Sequence, residues 1–174
     1  MEELVRDVAE AMRDIPDFPK KGVLFKDITP VLADPRLLQR VIDWYAQPYA
    51  PEEIKAVVGM DARGFIFGSP LALALNAAFV PARKKGKLPY ETVGAEFDLE
   101  YGTATLEIHV DAFQPGDKVL ICDDLLATGG TAAATCDLVR RLGGEIVACA
   151  FVVELDFLKG REKLDAPVRS LIRY

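Results

Sequence analysis

The chain has 174 residues, 51% hydrophobic and 28% charged, with a net charge of -6. That length suits one domain with a full-sized core, and the acid excess argues against nucleic acid as the main partner. The single histidine, His109, excludes any multi-histidine metal site; no apolar run approaches a membrane span, and the acidic, amphipathic N-terminus is not a signal peptide.

Leu4, Val8, Ala11, Met12 and Ile15 recur at helical spacing, which predicts a helix over residues 3–14, ended by Pro16 and Pro19. Gly22 to Ile28 is a short segment centred on Phe25. Asp34-Pro35 has the form of a helix start, and Leu37, Leu38, Val41, Ile42 and Tyr45 form the inner side of that helix. A loop marked by Pro48 and Pro51 follows. Ala56 to Met60 reads as an apolar strand, Asp61 to Phe65 as a turn into a helix reaching about Asn76, and Ala78 to Ala82 as the next strand. This is a βαβ unit.

Arg83 to Tyr101 is long, polar and punctuated by Gly and Pro, the pattern of a functional or mobile loop. Thr103 to Val110 alternates, with Ala104, Leu106, Ile108 and Val110 on one face and His109 on the polar, surface one. Gln114 to Asp117 is a turn. Lys118 to Cys122 reads as a buried strand and Ala132 to Leu142 as a helix. The strand Ile146 to Leu155, a helical piece Leu158 to Leu164 and a last strand Val168 to Ile172 complete the chain. The order predicts one α/β domain with a mostly parallel sheet. Cys122, Cys136 and Cys149 fall on these strands and helices, odd in number and with no CxxC, which fits buried free thiols in a cytoplasmic protein.

The stretch Asp123-Asp124-Leu125-Leu126-Ala127-Thr128-Gly129-Gly130-Thr131 joins the Lys118 strand to the Ala132 helix. In an open parallel sheet, ligands bind outside the C-terminal strand ends. Gly129 and Gly130 permit a tight turn with no side chain to exclude a phosphate. The N–H groups of the helix start point at that phosphate, and Thr128 and Thr131 add hydroxyl donors. Two adjacent carboxylates repel an anion, so they need another reason. Ribose supplies it, since its hydroxyls donate to carboxylates and a cationic sugar is stabilised by them. A turn without function, with an Asp as an ordinary cap, is the bland alternative. No Gly-Lys-Ser/Thr follows the glycines, and the GxGxxG spacing is absent.

Asp61-Ala62-Arg63-Gly64-Phe65 has the form of a second anion cradle at a second helix start, against the alternative of a routine turn with a surface Arg. Arg83-Lys84-Lys85-Gly86-Lys87 packs four cations into five residues at a strand end. By itself such a run is usually a solvated face.

Val119 to Thr131 closely resembles the phosphoribosyl diphosphate (PRPP) motif of the type I phosphoribosyltransferases. The other stretches are similar to the branch that acts on adenine, and five motifs match in order over roughly residues 16–165. The resemblance implies the type I phosphoribosyltransferase fold, a mostly parallel central sheet flanked by helices, with an N-terminal hood (1–33) and a flexible catalytic loop (84–102). It implies purine salvage in the cytoplasm by a homodimer: Mg-PRPP plus adenine gives AMP plus pyrophosphate. Mg²⁺ would be held mainly by PRPP and water.

Ala127, Thr128, Gly129, Gly130 and Thr131 would hold the 5-phosphate, with Asp123 and Asp124 catalytic beside the sugar. Ala62, Arg63, Gly64, Arg83, Lys84 and Lys87 would hold pyrophosphate, with the Asp61–Ala62 peptide cis. Glu100, in Leu99-Glu100-Tyr101-Gly102, would be the acid/base partner of the purine. Leu24, Phe25, Lys26 and Leu125 would hold adenine, Phe25 stacking on the ring; Lys26 stands where relatives often have Arg. Phosphoribosyltransferases for 6-oxopurines place a Lys on the strand after the PRPP helix, and Cys149 to Leu155 contains none. A PRPP-sensing regulator and a transferase for another base are the alternatives.

Overall fold

The computed structural model describes residues 1–50, 52–98 and 103–174. They form two units, Met1–Trp44 and Tyr45–Tyr174.

In the first unit, helix α1 spans Glu2–Ala11 and buries Leu4 and Val8, with Glu2 and Glu3 placed favourably at the positive end of its dipole. It is shorter than its periodicity predicts. Met12 is already extended, and Arg13–Pro16 forms strand β1, antiparallel to β2 (Leu24–Asp27), with Ile15 opposite Phe25. Cross-strand ion pairs favour this arrangement: Arg13 meets Asp27 at 2.7 Å and Lys26 meets Asp14 at 2.6 Å. Pairing thus overrides a helical pattern that Ile15 would have continued. A short helix α2 (Thr29–Ala33) precedes α3 (Pro35–Ala46). The carboxylate of Asp34 accepts the N–H groups of Arg36 (2.9 Å) and Leu37 (3.1 Å), the cap that Asp-Pro predicts.

In the second unit, a seven-stranded sheet has the order β5-β6-β4-β3-β7-β8-β9. The strands are β3 (Ile54–Met60), β4 (Ala78–Lys84), β5 (Thr92–Asp98), β6 (Thr103–His109), β7 (Lys118–Leu126), β8 (Glu145–Glu154) and β9 (Val168–Arg173). From β4 to β9 across β3 and β7 all neighbours are parallel, while β6 and β5 add an antiparallel ribbon.

Two helices flank the sheet, α4 (Gly64–Ala74) and α5 (Gly130–Arg141). Along β3, Ala56, Val58 and Met60 share a core with Cys136, Leu138 and Val139 of α5. Val57 and Gly59 alternate to the opposite face, where α4 lies against β3, β4 and β7. The chain leaves β3 toward β4 on one side and β7 toward β8 on the other. The strand order therefore reverses between β3 and β7, and the crevice at their C-terminal ends is the topological switch point.

The long loop expected from Arg83 to Tyr101 is corrected. Arg83 and Lys84 end β4 and pair with Glu107 and Leu106 of β6, and residues 92–98 are strand β5, in register with 103–109. The polar residues and Gly94 hid a strand that its partner specifies. The surface position expected for His109 is corrected too: paired opposite Thr92, it is half-buried, with its ring edge-on to Tyr90 at 6.2 Å. All three cysteines are buried and free, Cys136 and Cys149 with their sulfurs 3.5 Å apart. Among the described residues no helix is long and apolar enough to cross a membrane.

Candidate active site

Strand β7 runs four residues past its apolar core, so Asp123 and Asp124 are strand residues that alternate in direction. Asp124 is 3% exposed, and its carboxylate meets the Arg63 guanidinium at 2.8 Å. Asp123 is half-buried; its carboxylate accepts the Asp124 N–H at 2.9 Å. Burial first, then the charge of Asp124, pushes the Asp123 carboxyl well above the usual carboxylate range. The Tyr45 hydroxyl donates to the Asp123 carbonyl at 2.8 Å, and its ring lies 6.0 Å from that of Phe67 on α4. The sequence reading gave Tyr45 only a place on the inner side of a helix; nothing local ties it to a strand end 78 residues away.

After Leu126 the chain turns through Gly129, whose φ of 79° places it in the left-handed region that glycine enters without strain. No side chain caps α5, and the first helical N–H to be satisfied by the turn itself is that of Ala133, on the Gly129 carbonyl at 2.9 Å. Ala127, Thr128, Gly129, Gly130 and Thr131 line a cavity of about 90 Å³ at this helix start, with Asp123 and Leu125 at its side. Unpaired amides at the positive end of a helix dipole attract an anion. Met60 and Phe151, which the sequence reading left among core strands, form the rest of its wall.

On the neighbouring strand, Gly59 of β3 pairs with Cys122 of β7, so the two following loops lie side by side. The Asp61–Ala62 peptide is cis, as the resemblance implies. Ala62, Arg63 and Gly64 lead into α4, and a side chain at Gly64 would meet the Cys122 carbonyl at 2.9 Å and the Asp123 carboxylate at 3.1 Å. The Arg63–Asp124 pair joins the residue before α4 directly to β7.

Arg83 is built into the scaffold: it donates to the Lys87 carbonyl at 3.0 Å, contacts Asp61 at 3.4 Å, and lies over the Phe65 ring at 6.0 Å. Lys84 and Lys87 are exposed beside it, and Lys84 lines a second cavity with Asp61 and Thr131. Leu24, Phe25 and Lys26 belong to the first unit. There Phe25 packs edge-on against Phe18 at 5.1 Å, and Ile15, Phe18, Phe25 and Asp27 line a shallow apolar depression. Glu100 lies outside the described residues.

The mostly parallel sheet, with two helix starts and two adjacent carboxylates at its switch point, is that of a phosphoribosyltransferase domain: the family described as "Phosphoribosyl transferase domain" matches residues 27–173. The adenine phosphoribosyltransferase of Nitrosococcus oceani is 57% identical over 164 residues, 94% of this chain and 96% of that one. The crystal structure of the Rhodothermus marinus adenine phosphoribosyltransferase superposes with a TM-score of 0.95 at 51% identity, over 100% of both chains. The Saccharomyces cerevisiae one, complexed with adenine and an imino-altritol bisphosphate, does so with a TM-score of 0.94 at 44% identity, over 98% of this chain and 99% of that one. The chain belongs to the adenine phosphoribosyltransferase family.

Proposed function

We propose that the chain transfers the 5-phosphoribosyl group of PRPP to adenine, giving AMP and pyrophosphate, in purine salvage. The observation that carries this reading is the pairing of two anion cradles across β3 and β7 with carboxylates between them. PRPP is such a molecule, with a phosphate at one end, a diphosphate at the other and a ribose between. Held in this way, the C1–diphosphate bond breaks with its electron pair on the diphosphate, and adenine N9 forms the new bond as it loses its proton.

The chain supplies position and charge. Ala127 to Thr131 hold the 5-phosphate. Asp123, at the side of the cavity, faces the ribose, and the charges of Asp123 and Asp124 stabilise the cationic sugar. Arg63, Lys84 and Lys87 neutralise the leaving diphosphate, and Arg83 orients that edge through Asp61 and the Lys87 carbonyl. Arg63 then exchanges Asp124 for the diphosphate. Mg²⁺ bound to PRPP would supply positive charge beside the diphosphate. In this reading its ligands would be mainly PRPP oxygens and water. Leu24, Phe25 and Lys26, with Leu125, take the adenine, and Glu100 handles its proton. Cytoplasmic location and a homodimer, testable by sedimentation, belong to the same reading.

Release of pyrophosphate from Mg-PRPP with a panel of purines and pyrimidines tests the reaction. Adenine-dependent release is expected, and its absence with every base would overturn it. Gly130→Val fills the phosphate space from a position outside the left-handed region, so the variant is expected to fold yet weaken PRPP binding at least a hundredfold by calorimetry. Unchanged affinity would remove the cradle. Glu100→Gln is expected to lower kcat by about two orders of magnitude, the usual worth of a general acid or base. Full turnover by that variant would take the proton role from Glu100.

A further inference from the structure

The phosphate loop rests on a second layer of backbone. A side chain at Gly129 would run into the Gly160 carbonyl, and one at Gly160 would run into the Ala127 carbonyl and come within 2.9 Å of the Gly129 nitrogen. Gly160 opens a short 3-10 turn, Gly160–Lys163, far along the chain from the loop it supports. So short a turn, preceded by Lys159 at φ 53°, has little of its own to hold it in place.

What holds it is the next side chain. Arg161 lays a two-pronged guanidinium on Glu154, Nε to Oε1 at 2.8 Å and Nη2 to Oε2 at 2.5 Å, and donates from Nη1 to the Val168 carbonyl at 2.8 Å. Glu154 is the last residue of β8, 2% exposed, and pairs in register with Leu126 at the end of β7, the residue from which the phosphate loop departs. Its Oε2 also accepts the Ser170 hydroxyl at 2.5 Å and lies 3.8 Å from Arg173. The Arg161 guanidinium beside it, helped by Ser170, holds the Glu154 carboxyl below the usual range, so it is charged and fully paired.

A buried carboxylate held bidentately by one arginine and contacted by two further side chains is a rigid joint. It fixes the position of Gly160, and through Gly160 the path of Ala127 to Gly129. We propose that Glu154, Arg161 and Gly160 are positioning residues for the phosphate loop, setting the affinity for the 5-phosphate end of PRPP without touching it. This rests on the reading that Ala127 to Thr131 hold that phosphate.

Calorimetry with ribose 5-phosphate, and KM for PRPP and adenine separately, tests the proposal on Glu154→Gln, Arg161→Lys and Gly160→Ala. Arg161→Lys keeps the charge and loses the fork; Gly160→Ala leaves the ion pair and pushes on the loop. Each is expected to raise the Kd for ribose 5-phosphate and KM for PRPP about tenfold or more, with KM for adenine within twofold of the parent. Should Glu154→Gln fail to fold, Ser170→Ala removes one partner from the same carboxylate and is expected to give a smaller shift in the same direction.

Unchanged ribose 5-phosphate affinity in the folded variants overturns the proposal. So does an equal rise in both KM values, which would mark general loosening. Gly130→Val, run beside them, separates the two ideas. If it retains ribose 5-phosphate, the cradle reading fails and the proposal with it. If it loses ribose 5-phosphate while the Glu154 and Arg161 variants keep it, the positioning proposal alone fails.

Discussion

Asp123→Asn and Asp124→Asn are each expected to lower kcat by about two to three orders of magnitude, the range seen when one group aimed at transition-state charge is removed. Asn keeps the shape of the side chain and loses the charge. The ribose hydroxyls can still be held, so KM for PRPP changes much less than kcat.

The two variants differ in their other effects, which the geometry separates. Asp124 pairs with Arg63 at 2.8 Å. Loss of its charge releases Arg63 to the diphosphate, so KM for PRPP is expected to stay level or fall in Asp124→Asn while kcat drops. Asp123 instead stands in a place that disfavours its charge, with its carboxyl raised by burial and by Asp124. A carboxyl whose folded pKa exceeds its unfolded one stabilises the fold at low pH and costs stability as pH rises through that interval. Asp123→Asn removes this cost. Its Tm is therefore expected to exceed that of the parent at neutral pH, by a margin that shrinks as the pH falls toward 4. Thermal melts across pH check the sign, and steady-state kinetics check the split. Variants that alter KM alone would end the electrostatic role of the pair.

This arrangement of site groups is what an active site that trades stability for chemistry looks like, and much of it was legible in the chain. The apolar run into Asp123-Asp124, the glycines and the following helix are local signals. Each acts through its own backbone: a short strand, a left-handed turn at Gly129, an uncapped helix start. The βαβ unit around Asp61 was legible for the same reason.

What was hidden depends on partners far along the chain. Residues 92–98 carry a glycine and several polar side chains, and only pairing with residues 103–109 makes them a strand. Ile15 continues a helical period, yet it sits opposite Phe25 in a hairpin-like pair. Glu154 ends an apolar run, where a charge looks like an ordinary strand boundary. Its three partners are Arg161, Ser170 and Arg173, which no local pattern links to it. Sequence periodicity reports burial of a face; it does not report which side chain closes on which.

Discrimination between bases is the other large effect. Adenine is expected to exceed hypoxanthine in kcat/KM by about four orders of magnitude, the range for a site whose buried polar groups are left unpaired by the wrong substrate. Adenine presents an amino donor at N6 and an acceptor at N1; hypoxanthine presents an acceptor at position 6 and a donor at N1. Among the described residues of the first unit, β2 pairs with β1 in a two-stranded sheet. In the proposed reading, extended backbone near Leu24 and Lys26 answers N6 of adenine with a C=O and N1 with an N–H, an order that opposes the groups of hypoxanthine bound in the same pose. A backbone pair cannot rotate to exchange donor for acceptor, unlike an Asn or Gln side chain. The strand β8, where a lysine would answer a 6-oxo group, carries none from Cys149 to Glu154. Steady-state kinetics with adenine, hypoxanthine and guanine measure the ratio. Comparable kcat/KM for adenine and hypoxanthine would sink the backbone account and leave the PRPP chemistry standing.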